Sequence, residues 1–179
     1  MCILNWLDAH SNTVMVIILF FTAMATWLSA RAAKRAATET QKATKASLIA
    51  SLLDAYSSSE MLVAMLRLND FKTRHGGNFA DVFRRLRTDD YDSIRKVDHA
   101  RRRVSHFFNK IHTLKKLEYL NDDAVKEVAT KGQVEFFRHV VEPLEGALNA
   151  NYDRSAFESL GRLYDIQPGP LPMANPKPK

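Results

Sequence analysis

Cysteine is almost absent from the chain: Cys2 stands alone in 179 residues, which excludes an internal disulfide framework and a cysteine-based metal cluster. Lysine and arginine are missing from the first thirty positions, where Asp8 is the sole formal charge. The net +6 is therefore carried entirely by residues 31–179, at +7. Glycine is scarce, and His75-Gly76-Gly77 has no strand ahead of it, so it reads as a turn and not a phosphate cradle. No stretch of useful length alternates polar and apolar residues as a strand does. Proline is withheld from the body of the chain, with five of the six between residues 167 and 179. What remains is a sequence for helices.

The longest uncharged run is Thr13 to Ala30, TVMVIILFFTAMATWLSA. At 1.5 Å per residue it extends roughly 27 Å, close to the hydrocarbon thickness of a bilayer. Trp6 precedes it and Trp27 lies near its end, where indole rings favour the headgroup boundary. Arg31, Lys34, Arg35, Lys42 and Lys45 follow, opposed only by Glu39. The positive-inside rule then predicts a single-pass anchor with Met1 outside and the rest cytoplasmic. A cleaved signal peptide needs a basic leader, and MCILNWLDAH has none.

The pattern predicts five segments. Residues 1–12 form a short outside segment and 13–30 the transmembrane helix. Residues 31–56, free of Gly and Pro, continue as a basic helical stalk whose Ala32, Ala36, Ala43, Ala46 and Ala50 permit close helix approach. Residues 57–166 form an irregular cytoplasmic bundle, and 167–179 a Pro-rich tail that cannot be helical. The fold class is thus all-α: one N-terminal transmembrane helix, a helical stalk and a bundle. Core positions at helical spacing include Leu52, Leu53 and Tyr56, then Met61, Leu62, Met65, Leu66 and Leu68. A short helix with Phe79, Val82, Phe83 and Leu86 follows. The most regular segment carries Ile94, Val97, Ala100, Val104, Phe107, Phe108, Ile111, Leu114 and Leu117 as one long amphipathic helix. Ser57-x-x-Glu60, Asn121-Asp122-Asp123 and Ser155-x-x-Glu158 read as helix starts, Gly132 as a separator and Pro143 as a kink.

From Arg101 to about Asp165 the chain resembles an uncharacterised family of bacterial single-pass membrane proteins, a domain of unknown function. The likeness rests on Val104-Ser105-His106-Phe107-Phe108-Asn109-Lys110-Ile111, Leu114 and the turn Leu117-Glu118-Tyr119-Leu120-Asn121-Asp122. The pair Phe136-Phe137 before Pro143 adds to it, as does Tyr152 through Arg154 to Phe157-Glu158-Ser159-Leu160. The resemblance covers about a third of the chain. It implies a protein of the bacterial inner membrane and brings no activity with it.

Few residues suggest chemistry. His99 and His106 share a face with Asp92, but their spacing of seven is not the three or four that helical metal sites use. Asp89-Asp90 and Asp122-Asp123 precede helices, where acids stabilise free N–H groups. No P-loop, dinucleotide fingerprint, zinc-protease motif or nucleophile elbow is present. The sequence thus predicts no catalytic residue, cofactor or metal. The membrane-interface residues are Trp6, Trp27, Arg31, Lys34 and Arg35. The candidate partner surface is basic: Arg84, Arg85, Arg87, Arg95, Lys96, Arg101, Arg102 and Arg103. Its plainest reading is a solvated face balanced by Asp92 and Asp98; an acidic protein or lipid headgroups would suit it more than nucleic acid. The function expected is a membrane-tethered interaction module binding a protein partner or itself through the stalk. The alternatives are an accessory subunit of a larger membrane complex and, in another class, a hydrolase or nuclease lacking a recognisable motif.

Overall fold

The computed structural model describes residues 2–149 and 151–168, with side chains described at residue 13 and from residue 15 onward within those ranges. Among them there is helix and no strand. Helix α1 runs Cys2–Ser57, so the outside segment, the apolar run and the stalk that the sequence sets apart are one helix from Cys2 on. It is long and apolar enough to cross a membrane, and its apolar window is wholly unburied. Inside that window Thr22 and Thr26 donate their hydroxyls to the carbonyls of Ile18 and Thr22, each at 2.8 Å. Their polarity is thereby satisfied within the helix, as a hydrocarbon surrounding requires. The Arg31 guanidinium lies over the Trp27 ring at 5.5 Å. Trp6 and the tail beyond residue 168 lie outside the described side chains. In the stalk Thr38, Thr40 and Thr44 return their hydroxyls to carbonyls four residues back, and all five alanines are exposed.

A separate compact unit begins at Ser47, ten residues before the boundary read from the sequence, because Leu52 is buried and Leu48, Ile49 and Tyr56 pack on the core. Its other helices are α2 (Ser59–His75), α3 (Phe79–Asp89), α4 (Tyr91–Lys116), α5 (Asp122–Val128), α6 (Lys131–Phe136), α7 (Glu142–Leu148) and α8 (Ser155–Gly161). The spine is α4. Its Ile94, Val104, Phe108 and Ile111 are almost wholly buried, and α2, α3 and α8 pack around it. Phe108 stacks on Phe137, and Phe137 continues to Phe157 at 6.5 Å. Burying such rings removes apolar area from water at roughly 25 cal/mol per Å².

Several local expectations shift. The α2 cap is Ser58, whose Oγ accepts from the Met61 N–H at 3.2 Å; Ser57 is the last residue of α1. The start of α8 is held by Asp153, which accepts from the Ser155 N–H at 2.9 Å, so Ser155 opens the helix and does not cap it. Gly132 does not separate helices, since it sits inside the first turn of α6. That turn is set by Thr130, whose N–H donates to Gln133 at 2.7 Å. Pro143 acts as a register shift. It has no N–H for the His139 carbonyl, and its ring would crowd that group; the preceding turn, Phe137–Val141, widens to a π-helix in which the Glu142 N–H reaches the Phe137 carbonyl. Gly76 closes α2 at φ 56°, ψ −139°, a conformation that L side chains rarely adopt.

Four apolar positions leave the expected core. Leu53, Leu62, Leu66 and Leu117 are 42%, 54%, 59% and 59% exposed. On α2 the buried line is Met61, Ala64, Leu68 and Phe71, and Leu62 and Leu66 fall on the opposite side of that helix.

Candidate functional site

The basic residues singled out from sequence do not form one surface. Arg101 must be withdrawn: it is 6% exposed and points inward. Its Nε and Nη2 donate to Asp98 Oδ1 at 3.0 and 2.8 Å, and its Nη1 pairs with Glu145 of α7. Asp98 is fully buried, and its second oxygen takes Arg102 Nη2 at 2.9 Å. Burial alone would raise the Asp98 carboxyl. The hydrogen bond and charge of Arg101, with the charges of Arg102 and Arg87, outweigh it and hold the group below the usual carboxylate range. This is a structural clamp between α4 and α7. Close by in sequence, Glu142 is 2% exposed and accepts from Arg154 Nε at 2.6 Å. Burial, then Glu145 and Glu142, push the Tyr152 phenol above its ordinary value.

The remaining basic side chains separate into groups. Arg84 and Arg85 border a hollow of about 610 Å³ with Asn78, Asp81 and Val82, and Arg84 is held by Asp81 at 2.9 Å. Arg95 stands 3.9 Å from Asp92. Lys96 is exposed and Arg87 half-buried. Arg102 and Arg103 join a different arrangement, an open groove of about 600 Å³ between α2 and α4. Ser59, Glu60, Val63, Ala64 and Arg67 line it from α2, and His99, Ala100, Arg102 and Arg103 from α4.

Helix spacing builds this groove. Glu60, Ala64 and Arg67 recur at three and four residues along α2, as His99, Arg102 and Arg103 do along α4. Ala64 and Ala100, each 4% exposed, have short side chains that leave a depression between the helices. Arg103 reaches across to pair with Glu60 and Arg102 reaches down to Asp98. Arg67 holds no carboxylate among the described residues. The rim is thus basic, the floor small and apolar, and Leu62, Val63 and Leu66 stand exposed on the same helix as Arg67. A guanidinium left free at such a rim has the donor geometry to take carboxylate or phosphate oxygens. Arg67 was not legible as part of it: nothing in the sequence places α2 beside α4 at this register. His99 and His106 are exposed on α4, and the described residues bring no three metal-ligating side chains together.

Fold and groove define a class, an all-α bundle whose N-terminal helix is long and apolar enough to span a membrane. Comparison finds no family model that matches the chain, no similar curated protein and no solved structure that matches it.

Proposed function

We propose that the chain is a membrane-tethered interaction module, anchored by the apolar part of α1 and binding a protein partner through its α-helical unit, without catalysis. The observation that carries this reading is on α2. Leu62 and Leu66 stand 54% and 59% exposed one turn apart, with the Arg67 groove on the neighbouring flank. Exposed apolar ridges rimmed by charge are characteristic of surfaces that meet another protein. The orientation, with the helical unit cytoplasmic and Met1 outside, is supported by Arg31, Lys34, Arg35, Lys42 and Lys45 on one side of the apolar run against no Lys or Arg in residues 1–12. Assignment to a bacterial inner membrane rests on the resemblance of residues 101–165. The exposed alanines of the stalk favour a second reading, an accessory subunit whose α1 packs beside helices of a larger membrane complex.

Reporter fusions and purification test this. A fluorescent protein fused after Lys179 should shine and a phosphatase there should be inactive; active phosphatase overturns the orientation. A partner that co-purifies in mild detergent should be lost on Leu62→Asp with Leu66→Asp. Retention in full assigns the contact elsewhere and removes the support for this surface.

A further inference from the structure

Resting on the interaction-module reading, we infer that the groove between α2 and α4 receives the corner between α4 and α5 of a second copy, joining copies head to tail. The occupant is visible in the chain itself. At that corner Leu117 and Tyr119 are 59% and 53% exposed, large apolar side chains held out by the turn that ends α4. Around them stand the carboxylates of Glu118, Asp122 and Asp123, all exposed. Lys115 is neutralised by Asp122 at 2.9 Å, which leaves Glu118 and Asp123 available. Lys116 opposes them, but it lies in the last turn of α4, where the carbonyl ends of the helix offset its charge.

The groove is the complement of this corner. Its floor of Ala64 and Ala100 is small enough to seat an aromatic ring, and Arg67 is without a carboxylate of its own. Tyr119 over that floor would lie under guanidinium groups that favour an aromatic face, while Glu118 and Asp123 meet Arg67 and Arg102 as charge-assisted pairs. A flat bilayer does not fill a recess between two helices, whereas a protruding corner does.

The corner cannot serve its own groove. Arg103 and Leu117 lie roughly 20 Å apart along the rise of the same rigid helix. The contact is therefore between copies, and it is heterologous: two different patches meet, so each copy keeps one of each and the chain of contacts can extend. A patch this small is weak in solution. Confinement of the anchors to one bilayer raises the effective concentration and populates it.

The test uses the full chain in native membranes, with Cys2→Ser throughout and two differently tagged copies expressed together. One copy carries Ser59→Cys at the groove, the other Lys116→Cys at the corner, and a short bis-maleimide reports contact. The expected result is a crosslink between the two tags and none when both copies carry Ser59→Cys. Arg67→Glu on the groove copy should lower the yield about tenfold, as should Glu118→Lys with Asp123→Lys on the corner copy. Combining the two reversals should restore it. Absence of the Ser59–Lys116 crosslink, or yields indifferent to either reversal in proteins that melt like the parent, overturns the inference. Loss of the partner on Leu62→Asp with Leu66→Asp is read in the same membranes, so the interaction-module reading can stand when head-to-tail docking falls.

Discussion

Phe108 and Phe137 stack with ring centroids 4.6 Å apart and planes 28° from parallel, which joins the middle of α4 to the π-helical turn before Pro143. Phe108 is 1% exposed and Phe137 fully buried. Truncating Phe108 to alanine removes the stack and leaves a cavity that neighbours held in α4 and the π-helical turn, Phe107 and Phe137, fill only in part. The expected cost is about 3–5 kcal/mol, a large fraction of the stability of a small domain. Melting of the full chain in detergent, with Leu66→Ala as an exposed comparison, checks it. A Phe108→Ala protein melting within a degree or two of the parent would mean that the stack contributes little.

The α4 core was legible because its apolar residues repeat at three and four positions over seven turns, and only one phase of a helix can satisfy that repeat. Leu62 and Leu66 depart from the expected core for a related reason. In Met61-Leu62-Val63-Ala64-Met65-Leu66 apolar residues surround the helix, so periodicity cannot say which side is covered. The end of the long stripe failed differently: Leu117 has the right spacing, but α4 stops at Lys116 and the chain turns. Among the candidate site residues, a row of arginines is readable as charge, yet Arg101, Arg102 and Arg103 point about 100° apart. Arg101 and Arg102 both reach Asp98 at local spacing, but the burial of Arg101 goes with its pairing to Glu145 on α7, a contact 44 residues away that no local pattern encodes.

Asp98 makes stability depend on acid. Its folded-state carboxyl is held below the ordinary range, so its contribution is fully present above the unfolded value and is lost as pH falls through the folded one. Stability should therefore decline below about pH 4. Asp98→Asn should weaken the protein by about 1–3 kcal/mol at neutral pH, since it removes the buried carboxylate that takes Arg101 and Arg102 and leaves Arg101 with Glu145 alone. It should also flatten the acid slope. Parallel denaturant titrations at pH 7 and pH 3.5 test both effects; an unchanged slope would assign the acid sensitivity to other carboxylates.

Glu118 occupies the left-handed region at φ 61°. The turn that requires this is explicit: the Glu118 N–H donates to the Lys115 carbonyl and the Tyr119 N–H to the Leu114 carbonyl, each at 3.0 Å. Glycine is the residue most at ease in such a helix-ending turn. A side chain there costs about 1–2 kcal/mol, partly offset by the greater freedom glycine loses on folding. Glu118→Gly should thus match or exceed the parent stability by up to about 1 kcal/mol, whereas Glu118→Val should fall below it. Thermal melts of the two variants check the order, and a valine protein more stable than the glycine one would contradict this account of the turn.

In the stalk Ala32, Ala36, Ala43, Ala46 and Ala50 are all exposed. An exposed helix flank of methyl groups gives two backbones room to approach and gain dispersion contacts. Thr38, Thr40 and Thr44 have their hydroxyls turned back to their own helix at 2.9–3.0 Å, so a close neighbour would not strand them. Five basic residues oppose pairing, but in water they splay outward, and in the membrane-anchored reading proposed above anionic headgroups screen those nearest the bilayer. A stalk contact of this kind would be symmetric and parallel, unlike the docking of corner into groove, and the two can be told apart by position. Cysteine scanning from Ala32 to Ala50, in a Cys2→Ser background under mild oxidant, should give crosslinks between identical positions that recur every three to four residues. Crosslinks at every position equally would indicate random collision in the bilayer, and none at any position would leave the alanine flank to a different helix.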